Sequence, residues 1–195
     1  QVLSVRDRGR DAPDAFIRLR GNVHAKGKKV PVGVPAMLGE PRLASFNKLE
    51  RSSGRRTALA NWITRPDNRL TWRVIANRLW QHHFGRGIVR SSNDFGRLGL
   101  LPTHPKLLDW LACEVLEQGQ SLKAMHRVIM MSSAYRMSSQ ASDKGLAEDP
   151  LNDSFWRFNR RRLTAEEVRD SILAVNGTIN LELGGPPVFP PLPRA

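Results

Sequence analysis

Five histidines, one cysteine and eighteen carboxylates carry most of this chain's capacity for acid/base or metal chemistry, and His82, His83 and His104 fall close together in sequence, beside Trp80 and Trp110. In the run Asn77-Arg78-Leu79-Trp80-Gln81-His82-His83-Phe84 the two adjacent imidazoles point about 100° apart on a helix, so they are not the i, i+4 pair of a helical zinc site. His83 shares the line of Ile75 and Leu79 and reads as a hydrogen-bonded core histidine, whereas His82 shares a face with Thr71 and Arg78 and reads as facing a cleft. With Asp94 and His104 supplied by the following loop, the candidate set for an acid/base cluster or a metal or anion site is Arg78, His82, Asp94 and His104. The set completes no established catalytic or metal-binding constellation, so neither a catalytic role nor a metal is assigned. The competing reading is a structural network in which Asn77, Trp80, His83 and Trp110 brace the interior, because buried polar groups usually satisfy one another.

The remaining reactive groups read as structural. Asp94 lies in Ser91-Ser92-Asn93-Asp94-Phe95-Gly96, whose short polar side chains fix turns, with Arg78 or Arg90 as the expected partner. His104 stands at a helix entrance, where unpaired N–H groups favour anions. Arg160-Arg161-Arg162 precedes Glu166, Glu167 and Asp170, which suggests pairing within the chain. Asp109, Glu114 and Glu117 are too poorly aligned for a two-carboxylate hydrolase, and Cys113 has no flanking cation in sequence to activate it.

Composition narrows the setting. A 195-residue chain with 40% hydrophobic and 25% charged residues is long enough for a sizeable core, and no apolar run approaches the length of a membrane span. It opens on Gln1 with no leader and reads as a mature product or a fragment. A single cysteine forbids an internal disulfide and any Cys-x-x-Cys site. The net charge of +13, with arginine far outnumbering lysine, would attract nucleic acid, anionic polysaccharide or an acidic domain. The arginines are scattered from Arg6 to Arg194, however, where a nucleic-acid binder shows a patch or stripe.

The periodicity predicts a mostly α protein of about five helices in an irregular bundle. Residues 1–48 read as a β or extended arm belonging to a preceding domain, with strands at 2–5 and 15–23 and an extended segment over 26–41. Residues 49–180 read as the helical domain. Its helices run to Ile63 from a cap at Ser53 or Thr57, from about Asn68 to Gly85, from Thr103 as cap to Gln118, from Ser121 as cap to about Tyr135, and from the capping box of Thr164 and Glu167 to Gly177. The second is apolar on two sides and is therefore expected to be buried on two sides. Residues 137–153 read as a loop, and 181–195 as a Pro/Gly-rich tail leading to a further portion of chain.

Several linked motifs then occur in order: Asn77 to Gly87, Asn93-Asp94-Phe95-Gly96, Pro102-Thr103-His104-Pro105, Ser121-Leu122-Lys123 with His126-Arg127, Tyr135-Arg136, and Arg161-Arg162-Leu163-Thr164-Ala165-Glu166 with Arg169-Asp170. From about Thr57 to Pro187 the chain closely resembles a planctomycete domain-of-unknown-function family, number 1553. It differs from the usual pattern at Arg69, where proline is common, at Gln120, where tryptophan is common, and in stopping before the family's C-terminal portion. The resemblance implies an extracytoplasmic setting, at the C-terminal end of a large exported protein whose N-terminal part carries a planctomycete-type cytochrome c domain and a second domain of unknown function. Haem is then expected only in that separate domain, with no cofactor in this chain. The expected role is a non-catalytic module docking onto neighbouring domains of the same polypeptide or onto a protein partner. The alternatives are an extracytoplasmic hydrolase acting on polysaccharide through the His/Asp/Arg cluster, and a basic nucleic-acid-binding domain.

Overall fold

A computed structural model describes residues 7, 9–38 and 47–185, and the expected strand at 2–5 and the proline-rich stretch from 186 lie outside them. The chain divides into two compact units, Gln1–Asn159 and Arg160–Ala195. The described residues hold six α-helices and one two-stranded antiparallel sheet, a mostly α fold with a short N-terminal strand arm.

The arm is a hairpin. Strand β1 (Ala15–Arg18) pairs antiparallel with β2 (Lys26–Val30), so the first part of the segment expected to be extended over 26–41 is a paired strand. The turn between them starts with a tight 3-10 turn at Leu19–Gly21, with Arg20 at φ 52° and Gly21 at φ 75°, and continues with Asn22 Oδ1 accepting the His24 N–H at 2.9 Å. This turn ends the strand expected over 15–23 at Arg18.

Helix α1 (Arg55–Ile63) is preceded by Gly54 in the left-handed region at φ 72°, not by a serine or threonine cap. A Cβ there would meet the Asn47 carbonyl oxygen at 2.5 Å, so both the dihedral and the close approach require glycine. Helix α2 (Arg69–Phe84) begins at Asn68, whose side chain accepts the Thr71 N–H, and ends at left-handed Gly85. Trp72, Ala76, Asn77, Leu79, Trp80 and Phe84 are all buried, a set that spans more than one face of the helix. Helix α3 (Pro105–Glu117) contributes Leu108, Leu111, Ala112 and Val115 to the same core, and α4 (Leu122–Met131), capped by Ser121, contributes Met125 and Ile129. Full burial of each large aliphatic or aromatic side chain stabilises the fold by about 1.5–3 kcal/mol.

Two helix ends differ from expectation because side chains found better partners. The residue before α3 is His104, which makes no capping bond, while the Thr103 hydroxyl and N–H both turn back to the Ile88 carbonyl at 3.3 and 3.0 Å. Helix α4 stops at Met131, where the Ser132 hydroxyl donates to the Ile129 carbonyl at 2.6 Å and competes with the helical ladder. A sixth helix, α5 (Asp143–Glu148), lies in the stretch expected to be loop, capped by Ser142. Gly145 disguised it. A Cβ at that position would strike the Trp156 ring at 2.6 Å, so this glycine serves close packing within a helix.

The second unit contains α6 (Ala165–Val175). Its capping box is complete: Thr164 Oγ1 accepts the Glu167 N–H at 3.2 Å and Glu167 Oε2 accepts the Thr164 N–H at 2.8 Å. Arg161 grips the same carboxylate with two bonds of 2.8 and 2.6 Å, and this pairing together with the Thr164 N–H holds the Glu167 carboxyl down at about 2.

Asn77 is the polar residue that two-sided burial of α2 forces into the core, and it is fully buried. Its Nδ2 donates to the Val89 carbonyl at 3.0 Å and its Oδ1 accepts the Val89 N–H at 2.8 Å. Gly87 lies against this amide, at a distance where a Cβ would come within 2.5 Å of Nδ2. Replacing Asn77→Ala leaves both Val89 backbone groups without partners and is expected to cost about 2–4 kcal/mol, read as a lower urea midpoint at unchanged slope. A loss below about 0.5 kcal/mol would show that the bracket is dispensable.

Candidate functional site

The C-terminal half of α2 and the loop after it, residues 77–104, carry the sequence-selected polar groups. Arg78 and His82 both lie exposed on one side of α2. The Arg78 guanidinium donates to Asn93 Oδ1, so the residue beside the expected Asp94 takes the contact. Asp94 is spent on its own turn. Its Oδ1 accepts the Gly96 N–H at 2.8 Å, and Ser91 Oγ donates to its carbonyl at 2.8 Å. The expected clamp of Asp94 on Arg78 or Arg90 is not formed, because Arg90 pairs with Asp153 instead. His104 is half-buried, its Nδ1 lies 3.0 Å from Thr103 Oγ1, and its ring is tilted against Phe155 at 5.8 Å. His82 has no hydrogen-bond partner among the described residues. No hydrogen bond or ion pair joins any two of Arg78, His82, Asp94 and His104.

The structural set divides. Trp80 is buried, stacked on Phe84 at 4.1 Å and edge-on to Phe155 at 5.3 Å, while its Nε1 has no acceptor among the described residues. Trp110 stands on the outer side of α3 with 51% of its surface exposed, so the core between α2 and α3 is sealed by Leu108, Leu111 and Ala112 without it. Its position two residues past Leu108 and one before Leu111 explains why: the buried stripe at 108, 111, 112 and 115 leaves 110 facing out.

Two constellations were not foreseen. The first joins α2 to α4: His83 Nε2 lies 2.8 Å from His126 Nδ1, and the Tyr135 ring meets His83 edge-on at 5.4 Å. One imidazole must donate and the other accept, so the contact has no acceptor left when both are protonated. Burial, then the neighbouring His126 and His82, push the His83 imidazole below its usual range. Local spacing gave no hint of this pairing, since the partners are 43 residues apart.

The second is an arginine tether. Arg86 donates to the carbonyls of Leu151 (2.6 Å) and Asn152, lies over the Phe155 ring at 5.2 Å, and pairs with Asp153 at 3.3 Å. It grips a loop already tied by its own polar groups: Asp149 accepts from the Asp153 and Ser154 N–H groups and the Ser154 hydroxyl, and buried Asn152 bonds Arg157 and Asn159. Asn152 and buried Phe155 are both left-handed at φ 54°. For a bulky residue such as phenylalanine that conformation is costly and persists only where the surroundings enforce it, which Arg86 and the aromatic stack around Phe84 do here. Asn152-Asp153-Ser154 followed by two aromatics was the available sequence signal for an ordered loop. Among the described residues no group of three or more His, Cys, Asp or Glu is placed to hold a metal ion.

Helices packed on a shared apolar core, with polar side chains tying loops back onto them, define a mostly α-helical domain. Residues 55–195 match PSD1, described as a protein of unknown function (DUF1553), and the chain belongs to that family. No curated protein and no solved structure matches it.

The histidine pair sets a pH dependence with a definite sign. His83 has a lower proton affinity folded than its unfolded value of 6.5, so its contribution to stability is complete above that value and is lost as pH falls below it towards the folded pKa. The urea midpoint is expected to drop as the pH falls below about 6.5, and His83→Gln to flatten that drop. An unchanged slope in the variant would mean that His83 is not the group responsible.

Proposed function

We propose that this chain is a non-catalytic helical module that docks onto neighbouring domains of the same polypeptide, or onto a protein partner, within a large exported protein carrying a cytochrome c domain. The resemblance to the planctomycete family supports the exported, extracytoplasmic setting. The haem belongs to a separate N-terminal domain on this reading, since a lone Cys113 cannot supply the two thioethers of c-type attachment. No helix among the described residues is long and apolar enough to cross a membrane.

The observation that carries the docking reading is α6. Val168, Ile172 and Val175 recur at helical spacing on one face, yet no residue of the helix is buried and Val175 is 88% exposed. Within its own unit, and among the described residues, nothing covers the apolar face of this capped amphipathic helix, an element suited to being covered by something else. Leu98 and Leu101, 93% and 88% exposed in the loop before α3, offer a second uncovered apolar group in the first unit.

The rival readings draw less support. A polysaccharide hydrolase needs paired groups aimed at one substrate atom, whereas Arg78, Asp94 and His104 bond to Asn93, Gly96 and Thr103. For nucleic acid, Arg73, Arg86, Arg90 and Arg161 are already engaged by carboxylates, which lowers the field available to phosphate.

The substitution Ile172→Asp separates the readings. In the chain by itself a change at this exposed site is expected to alter stability by less than about 0.5 kcal/mol; in the longer natural polypeptide it is expected to lower the midpoint clearly and to raise hydrogen exchange across 165–175. Equal exchange of α6 in the short and long polypeptides would contradict interdomain docking through this face.

A further inference from the structure

The seam between α2 and α3 holds a cavity that none of the tethers uses. Arg69, Trp72 and Arg73 on α2 and Asp109, Ala112, Cys113 and Leu116 on α3, together with Pro66, line a volume of about 230 Å³. The spacing on both helices, i, i+3, i+4 on the first and i, i+3, i+4, i+7 on the second, brings one stripe from each to the same groove. The floor is apolar. Trp72 is buried and its indole N–H is satisfied by the Arg65 carbonyl at 2.9 Å, so the ring offers carbon surface and no unmet donor.

The rim is charged but unequally compensated. Arg73 Nε donates to Asp109 Oδ1 at 2.6 Å, and this bond leads the causes that hold the Asp109 carboxyl below its ordinary range, so that pair stays ionised and internally neutral. Among the described residues Arg69 has no hydrogen bond and no ion pair, and its charge acts on the Asp109 carboxylate only at longer range. Two guanidiniums thus share one carboxylate beside an apolar slot. A cavity of roughly 150 Å³ holds a benzene ring, and drug-sized ligands need about 300 Å³ or more, so this space fits one ring with a small substituent.

We infer that the α2–α3 groove is a binding site for a small aromatic carboxylate, its ring against Trp72, Ala112 and Leu116 and its carboxylate on Arg69. Guanidinium matches carboxylate through two parallel N–H donors, which a neutral ligand of the same shape forgoes. The site goes beyond the docking reading and does not depend on it, since α6 and the loop at Leu98–Leu101 take no part.

Cys113, the single thiol of the chain, is exposed on the wall of the groove and reports its occupancy. Alkylation by iodoacetamide is measured on the whole chain with three probes: benzoate, benzyl alcohol as the ring without charge, and acetate as the charge without ring. Benzoate is expected to slow alkylation about tenfold at ten times its dissociation constant, acetate to leave the rate unchanged, and benzyl alcohol to need about tenfold more for the same protection. Arg69→Ala, at an exposed position, is expected to weaken benzoate about tenfold and to leave benzyl alcohol unaffected, with Arg69→Lys in between. Protection by benzoate no better than by acetate, or an Arg69→Ala chain that binds benzoate as tightly as the parent, would overturn the assignment.

Discussion

Burial of α2 on more than one face is the constraint from which the first unit is built. A sixteen-residue helix that brings Trp72, Ala76, Leu79, Trp80 and Phe84 into the core also carries Asn77 there, and a buried amide must be satisfied. The solution fixes more than the amide. By exchanging two hydrogen bonds with Val89, Asn77 converts the turn after α2 into part of the interior, and Ile88 and Val89 become as buried as any helical residue. Ile88 in turn accepts both hydrogen bonds of Thr103, which sets where the chain enters α3. A single side chain thus links the register of α2 to the position of α3.

Arg86 extends the same logic to a more distant segment. Its guanidinium reaches the carbonyls of Leu151 and Asn152 and covers Phe155, and it holds in place a loop containing two non-glycine left-handed residues. Within the first unit, apolar surface remains exposed at Leu98 and Leu101 in the loop before α3.

What the sequence disclosed was what local rules control. The capping box at Thr164 and Glu167, the Ser121 cap, the left-handed glycine ending α2 and the two-sided apolar pattern of α2 all depend on residues within a turn or two of one another. The errors arise where distant partners decide. Thr103 looked like a cap because its competitor, the Ile88 carbonyl, is fifteen residues away. Gly145 looked like a loop breaker because Trp156, which needs the space, follows by eleven residues. β2 falls in a segment read only as extended, because the stretch from Lys26 carries prolines, glycines and no helical period, and its pairing with distant β1 is what makes it a strand. The same reason hid His126 from His83 and Asp109 from Arg73, whereas Asn93 and Asp94 differ by one residue and only the turn at Ser91–Gly96 determines which of them meets Arg78.

The most direct test of the bracket is native-state hydrogen exchange at the Val89 amide, compared with amides in the middle of α2. If Asn77 makes the turn part of the core, Val89 exchanges only through the global opening that releases Ala76 and Leu79, with the same free energy and the same dependence on denaturant. Exchange of Val89 through a local, denaturant-independent opening, while the helix amides stay protected, would contradict the account.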